Sequence, residues 1–124
     1  MFEEIRSILA ELLDVTAEAI RPESYLVRDL EMESIDFLEL AVALNQRFKV
    51  PVNDDTVFLR NLRLHVIEAG EAGRTPLESL QRHYGYLSPE RLSAMVADME
   101  AGPVIQVRDL MSYVQGQLNN AGAA

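Results

Sequence analysis

The apolar residues between positions 34 and 48 recur at the spacing of an amphipathic α-helix, and no other feature constrains the fold as strongly. Residues three or four positions apart lie on one side of an α-helix, whereas a β-strand needs strict alternation. The predicted apolar face consists of Ile35, Leu38, Ala41, Val42 and Phe48. Because Pro51 disfavours a helical conformation at the residue before it, the pattern predicts a helix over 34–48, with Ser34 as its N-cap.

Helical periodicity continues through most of the remaining sequence. It predicts further helices at about 2–14, 56–69, 76–84, 89–100 and 106–118. Thr75 and Ser88 each precede a proline, which is typical of an N-cap followed by the first helical residue. No alternating run is long enough to predict a strand, so we expect an all-α fold of about six helices. We expect residues 23–33 to form a loop with apolar anchors, and 119–124 a frayed tail.

The composition is that of one small globular domain. The chain has 124 residues, and a domain of that size buries enough apolar surface to fold without cross-links. It has no cysteine, which excludes disulfides, a thiolate nucleophile and cysteine zinc sites. Its two histidines are too few for a histidine-rich metal site. We therefore treat residues 1–124 as a single domain.

The net charge of −9 argues against two classes of partner. Nucleic acids and anionic membranes both attract basic surfaces, so neither is expected to bind this chain. No apolar run reaches the ~20 residues that span a bilayer, and the N-terminus lacks the features of a signal peptide. We expect a cytoplasmic monomer without membrane insertion, whose partners are basic proteins.

The negative charge is concentrated in the first half of the chain. Residues 1–55 hold thirteen acidic and five basic side chains, net −8, whereas 56–124 hold seven and six, net −1. The densest acidic cluster consists of Asp29, Glu31, Glu33, Asp36 and Glu39. Its first three carboxylates have the spacing of a calcium loop, but Ser34 and Leu40 stand where that loop needs glycine and glutamate. We predict no metal site.

The sequence contains no recognisable catalytic constellation. The two histidines lie in separate predicted helices, and no nucleophile elbow, P-loop or dinucleotide-binding motif occurs. Ser34 is open to two interpretations. It is either an N-cap serine or a modification site, since the free N–H groups of a first helical turn stabilise a phosphate ester. Acidic residues on both sides would then attract a basic modifying enzyme.

Residues 29–51 resemble the signature of acyl carrier proteins. That signature reads Asp-Leu-Gly-x-Asp-Ser-Leu-Asp and is followed by an acidic amphipathic helix that ends in Phe. This chain reads Asp29-Leu30-Glu31-Met32-Glu33-Ser34-Ile35-Asp36 and reaches Phe48-Lys49-Val50. The resemblance extends to residues 2–24 and to the last predicted helix, and it follows the order of elements in the family.

The resemblance implies that Ser34 carries a covalent 4′-phosphopantetheine arm, attached by a phosphopantetheinyl transferase. The terminal thiol of that arm would hold an acyl group as a thioester, so the chain itself would be a non-catalytic carrier. Its other partners would be acyl-charging and acyl-transferring enzymes with basic docking patches. Those patches would contact Asp29, Glu31, Glu33, Asp36 and Glu39. Such contacts are transient and salt-sensitive.

Two departures from the family pattern bear on the structure. Glu31 stands where the family has glycine, so a left-handed backbone would be less favourable there. Residues 54–103, which we call segment 54–103, replace a short connection before the last helix. We expect a cleft between this segment and the serine helix to shelter the acyl chain, since each buried methylene contributes about 0.8 kcal/mol. The lining predicted for this cleft is Leu38, Val42, Phe58 and Leu62.

The role of segment 54–103 and the pathway stay open in the sequence. Extra packing, or a docking face for a dedicated enzyme, are the alternatives to a shelter for the cargo. Fatty acid, lipopolysaccharide and polyketide synthesis all use such carriers, and the size of the segment favours a specialised route. A stand-alone aminoacyl or peptidyl carrier and an unmodified helical interaction module are the alternative functions.

Overall fold

Residues 1–123 are the part of the chain that this computed structural model describes, with side chains as far as Asn120, and they form seven α-helices. The helices are α1 (Phe2–Leu13), α2 (Ser34–Phe48), α3 (Asp54–Val57), α4 (Leu62–Glu71), α5 (Pro76–His83), α6 (Pro89–Asp98) and α7 (Val107–Ala123). Short 3₁₀ turns follow α1 at Ala17–Ala19 and α6 at Met99–Ala101. Within this range, extended pairing is limited to one antiparallel bridge between Tyr25 and Gln106. The predicted all-α fold class is confirmed.

Helices α1, α2 and α7 form the part of the fold that positions Ser34. Helix α1 packs against both α2 and α7. The inward positions of these helices are fully buried, namely Ile5, Leu9, Leu40, Leu44 and Leu110. Because burying a leucine or isoleucine contributes about 1.5–3 kcal/mol, this interior fixes α2 and the serine at its start.

Segment 54–103 adds four helices to the same hydrophobic core. Helix α5 packs against both α4 and α6. The segment enters the common core through Leu80, Tyr84, Leu92 and Met95. Both predicted caps are confirmed, since Thr75 Oγ1 accepts a hydrogen bond from Glu78 N–H at 3.3 Å and Ser88 Oγ accepts from Arg91 N–H at 3.1 Å. None of the described helices is long and apolar enough to cross a membrane.

Two predicted helices have different bounds in the structure. The single helix expected over 56–69 is wrong, because Leu59 has a left-handed backbone (φ 57°) that an α-helix does not accommodate, and it separates α3 from α4. Helix α3 starts after Asn53, whose side chain accepts a hydrogen bond from Thr56 N–H at 3.0 Å. Helix α7 continues to Ala123 and does not end near 118. The last residue of the predicted tail, at position 124, lies outside the described residues.

Candidate functional site

Ser34 is the first residue of α2, and it is exposed. Its predicted role as the N-cap is wrong, because the N-cap is Glu33, which has an extended backbone (φ −109°, ψ 173°). Asp36 fixes the N-cap at Glu33, because its Oδ2 accepts a hydrogen bond from Glu33 N–H at 2.8 Å. Glu33 and Asp36 supply the cap, so the Ser34 hydroxyl is not committed to it.

The loop before Ser34 is held by backbone hydrogen bonds to the segment that leads into α7. Leu26 N–H donates to the Ile105 carbonyl at 3.0 Å, and Val107 N–H donates to the Ser24 carbonyl at 3.0 Å. These two bonds flank Tyr25 and Gln106 and form the antiparallel bridge between them. The loop therefore reaches α2 from a fixed direction, although it contains no regular secondary structure.

The turn at Glu31 completes this approach. Glu31 adopts a left-handed conformation with φ of 56°, at the position where the sequence pattern expects glycine. A non-glycine residue pays about 1–2 kcal/mol for that conformation. The next residue, Met32, is buried, and its N–H donates to the Leu26 carbonyl at 3.0 Å. The turn places Met32 in the core two residues before the serine.

Arg28 ties the same loop to the 3₁₀ turn after α6. Its Nη1 lies 3.1 Å from both carboxylate oxygens of Asp98, and its Nη2 donates to the carbonyls of Asp98 at 3.0 Å and Gly102 at 2.8 Å. The Tyr25 hydroxyl donates to Asp98 at 2.6 Å, and the Arg28 guanidinium lies 4.3 Å from the centre of the Tyr25 ring. The hydrogen bonds from Tyr25 and Arg28 hold the pKa of Asp98 below its usual range. No local sequence pattern indicates this cluster, because Asp98 lies about 70 residues from Tyr25 and Arg28.

A cleft of about 470 Å³ opens beside Ser34, between α2, the connection from α3 to α4, and the chain after the Met99–Ala101 turn. Its apolar lining includes Phe37, Phe58, Leu59, Leu62, Val104 and Ile105. The rings of Phe37 and Phe58 meet edge to face with their centres 4.9 Å apart. The volume lies in the range of about 300–1,000 Å³ that is typical of small-molecule sites.

The residues predicted for the cleft divide into two groups. Phe58 and Leu62 line it. The prediction for Leu38 and Val42 is wrong, because their side chains are 51% and 56% exposed and lie on the outer surface of α2. They share that surface with Ile35, which is 56% exposed, and we call these three residues the α2 stripe. Helical spacing showed that these positions are apolar, but it could not show which of them a neighbouring element covers.

The five acidic residues near Ser34 have different local roles. Asp36 caps α2, and Asp29 Oδ2 accepts a hydrogen bond from Tyr25 N–H at 2.8 Å. The remaining three carboxylates belong to exposed residues, namely Glu31, Glu33 and Glu39. Helix α2 and the loop before it therefore expose both the apolar side chains of the α2 stripe and the negative charge of these carboxylates.

Two arginines of segment 54–103 also line the cleft, Arg60 and Arg63. Arg63 Nη1 lies 3.0 Å from Glu100 Oε1, and both of these side chains are exposed. In the sequence these arginines show only as part of the nearly neutral charge balance of residues 56–124. Both arginines are close in sequence to the apolar Leu59 and Leu62, which is the sequence feature that could have indicated a cleft border. That feature does not show that this part of the chain lies beside Ser34.

Comparison with known proteins shows to which family this arrangement belongs. Residues 3–63 match the family model described as "Phosphopantetheine attachment site". The acyl carrier protein of Helicobacter pylori is 38% identical over 55 residues, which are 44% of this chain and 70% of that relative. This chain belongs to the acyl carrier protein family. The resemblance inferred from residues 29–51 is thereby confirmed.

Other acyl carrier proteins match to a similar extent. The acyl carrier protein of Picosynechococcus sp. is 36% identical over 55 residues, covering 44% of this chain and 68% of the relative. That of Campylobacter curvus is 37% identical over 54 residues, covering 44% and 70%. No solved structure gives a significant match. The family match ends at residue 63, so most of segment 54–103 lies outside it.

Acyl carrier proteins bear a covalently attached 4′-phosphopantetheine, and the residues around Ser34 fit this group. The exposed hydroxyl supplies the oxygen that a phosphodiester needs. The N–H groups of the first turn of α2 favour a negative charge beside them. The adjoining cleft offers apolar contacts to the rest of the arm. Members of the family act as carriers and not as catalysts.

Proposed function

We propose that Ser34 Oγ is the attachment point of the 4′-phosphopantetheine arm and that the chain carries acyl groups for a specialised lipid, lipopolysaccharide or polyketide pathway. The observation that supports this most is the exposed Ser34 at the start of α2, left out of the helix cap and bordering an apolar cleft. When bound, the arm supplies the terminal thiol that holds the acyl group, so a chain without cysteine suffices.

The chain's own contribution to the cargo is shelter from water. Phe37, Phe58 and Leu62 present apolar surface in the cleft that Ser34 borders. Each methylene transferred from water to such a surface contributes about 0.8 kcal/mol, so a long acyl chain gains more from the cleft than a short one. Segment 54–103 supplies Phe58 and Leu62 and is therefore the part of the chain expected to restrict which cargo is held.

The contribution to client enzymes is a docking surface on α2 and the loop before it. The α2 stripe provides apolar contact area, and Glu31, Glu33, Asp36 and Glu39 provide negative charge, with Asp29 at the edge of the loop. Basic patches on a phosphopantetheinyl transferase and on acyl-transferring enzymes complement this surface. Exposed charge pairs are weak and screened by salt, which suits a carrier that has to leave each enzyme after use.

The attachment is tested by intact-mass measurement after co-expression with a broad-specificity phosphopantetheinyl transferase. The parent chain should gain the mass of one arm, and Ser34→Ala should gain none. Ser93→Ala is the matched control, because Ser93 is also an exposed helical serine and should leave the modification unchanged. A modified Ser34→Ala chain, or an unmodified parent chain with several transferases, would contradict the proposal. Charging the modified chain with acyl and with aminoacyl donors then separates an acyl carrier from a peptidyl carrier.

A further inference from the structure

The cleft beside Ser34 has an apolar interior and basic groups at its border. Arg60 and Arg63 contribute to its lining, on either side of Leu62 and Asn61 in the sequence. The left-handed Leu59 reverses the chain just before Arg60, and Arg60 N–H donates to the Asp55 carbonyl at 3.2 Å, which closes this turn. The turn therefore holds the backbone of Arg60 in a defined place next to the cleft.

The two arginines differ in how their charge is balanced. Arg63 forms an exposed ion pair with Glu100 of the 3₁₀ turn after α6, at 3.0 Å. Among the side chains that the structure describes, residues 1–120, no carboxylate oxygen lies within 4 Å of the Arg60 guanidinium. Arg60 is thus a cation that borders the same cleft as Ser34 and is available to an anion placed there.

We propose that Arg60 binds the phosphate of the arm attached at Ser34, an inference that rests on the proposed function. A phosphodiester on Ser34 Oγ bears a negative charge at the entrance of the cleft that Arg60 borders. A guanidinium is planar and presents parallel N–H donors that match phosphate oxygens. Arg60 is exposed, so this attraction is screened by salt and is strongest at low ionic strength.

The contact gives segment 54–103 a specific role. The acidic residues Glu31 and Glu33 before Ser34 repel a phosphate, whereas Arg60 attracts it from the side of the segment. Repulsion on the loop side and attraction on the segment side favour conformations in which the arm extends from Ser34 toward the cleft. There Phe58 and Leu62 can shelter the cargo. Arg60 therefore couples the orientation of the arm to the presence of the segment.

The proposal is tested by NMR on the full chain before and after modification, with intact mass confirming conversion. The Nε–H signal of Arg60 should shift on modification, and that of Arg74, which is exposed and does not line the cleft, should stay in place. Arg60→Gln should shift the ³¹P signal of the modified chain, Arg60→Lys should shift it less, and Arg74→Gln should leave it unchanged. Raising the salt from 0.1 to 1 M should reduce the Arg60 effect, since the screening length falls from about 10 Å to about 3 Å.

The outcomes separate this inference from the function on which it rests. A chain that gains no mass overturns both. A chain that gains the mass of the arm, while the Arg60 Nε–H and the ³¹P signals stay unchanged in the comparisons above, overturns the phosphate contact alone. The Arg60 signal could instead move only after the arm is loaded with a dicarboxylic acyl group, and not with a monocarboxylic group of equal length. That result would mean that the guanidinium binds the cargo, and it would also overturn the phosphate contact. The parent-chain measurement needs no variant, so it stands even if Arg60→Gln misfolds.

Discussion

The guanidinium of Arg28 lies against the carboxylate of Asp98, with Nη1 3.1 Å from both of its oxygens. The two residues are 70 positions apart, and they join the loop before Ser34 to the end of α6. Neighbours of both, Val27 and Met99, line the cleft. The pair therefore holds two walls of the candidate site together.

Replacing Arg28 should loosen the loop without unfolding the helices. Arg28→Ala removes hydrogen bonds to Asp98 and Gly102, and a hydrogen bond to a charged group contributes about 1.5–3 kcal/mol. We expect the amides of Glu31 and Met32 to exchange with solvent about tenfold faster or more, measured by hydrogen exchange with NMR detection. Arg63→Ala is the control, because it breaks only an exposed ion pair. Equal effects of the two variants would contradict the assigned role of Arg28.

The ion pair between Arg91 and Asp109 should matter far more for stability. Arg91 Nε and Nη2 donate to the two carboxylate oxygens of Asp109 at 2.8 and 2.9 Å, and the side chains are 10% and 1% exposed. Arg91→Leu leaves a buried carboxylate without its partner, which should lower the free energy of unfolding by about 3–5 kcal/mol. Urea denaturation measures this loss.

A second substitution tests the cause of that loss. Asp109→Asn keeps an oxygen that can accept the hydrogen bond from Gln106 N–H, seen at 2.8 Å, but removes the charge. The double variant Arg91→Leu with Asp109→Asn should recover most of the stability. If the double variant is no more stable than Arg91→Leu, lost packing and not the unpaired charge is responsible.

Glycine at position 31 should stabilise the chain. The left-handed backbone of Glu31 costs about 1–2 kcal/mol, and glycine removes this cost while adding about 0.5–1 kcal/mol of unfolded-state entropy. Glu31→Gly should therefore raise the free energy of unfolding by up to about 1 kcal/mol, measured by urea denaturation. Glu39→Gly, inside α2, should lower it by about 1 kcal/mol. A loss of stability in both variants would refute the strain assigned to Glu31.

The chain should lose stability as the pH falls through the range where histidine titrates. The rings of His65 and His83 stack with their centres 3.6 Å apart, joining α4 and α5. Burial, and then the charge of His83, lower the pKa of His65, with Glu68 acting in the opposite direction. The unfolded chain therefore takes up the proton first, so this contribution is full above the ordinary histidine pKa of 6.5 and is lost as the pH falls through the folded value.

The measurement is the urea midpoint at pH 7.5 and at pH 5.5. The parent chain should be less stable at pH 5.5, and His65→Phe should reduce that difference because phenylalanine stacks on His83 without titrating. A His65→Phe chain whose midpoint drops as far as that of the parent would assign the pH dependence to other groups.

Acyl cargo should change the environment of the cleft and not that of the α2 stripe. On loading the modified chain with a long acyl group, the Leu62 methyl and Phe58 ring signals should shift, whereas those of Leu38 and Val42 should not. Leu62→Ala should weaken these shifts, and Leu64→Ala, which alters a leucine that is 50% exposed, should preserve them. Shifts confined to Leu38 and Val42 would place the cargo outside the cleft.

Local sequence patterns predicted the helices well wherever both the period and the cap lie within one stretch of chain. The helix over 34–48 has these bounds in the structure, and Pro76–His83 follows Thr75 as its capping pattern required. Only the predicted N-cap is one residue out, because the cap depends on the Asp36 carboxylate accepting from Glu33 N–H and not on the serine. The break at Leu59 was not predicted, because no glycine or proline marks the end of a helix there.

By itself, the sequence determined the all-α class, the acidic segment around Ser34 and the membership of the acyl carrier family, because periodicity, charge and motif spacing are local properties. Only the tertiary structure decided that Leu38 and Val42 face solvent while Phe58 and Leu62 line a cleft, and that Arg60 borders the same cleft as Ser34. A helical pattern states which side of a helix is apolar. Which element covers that side, and which distant residues become neighbours, depends on how all the helices share one core.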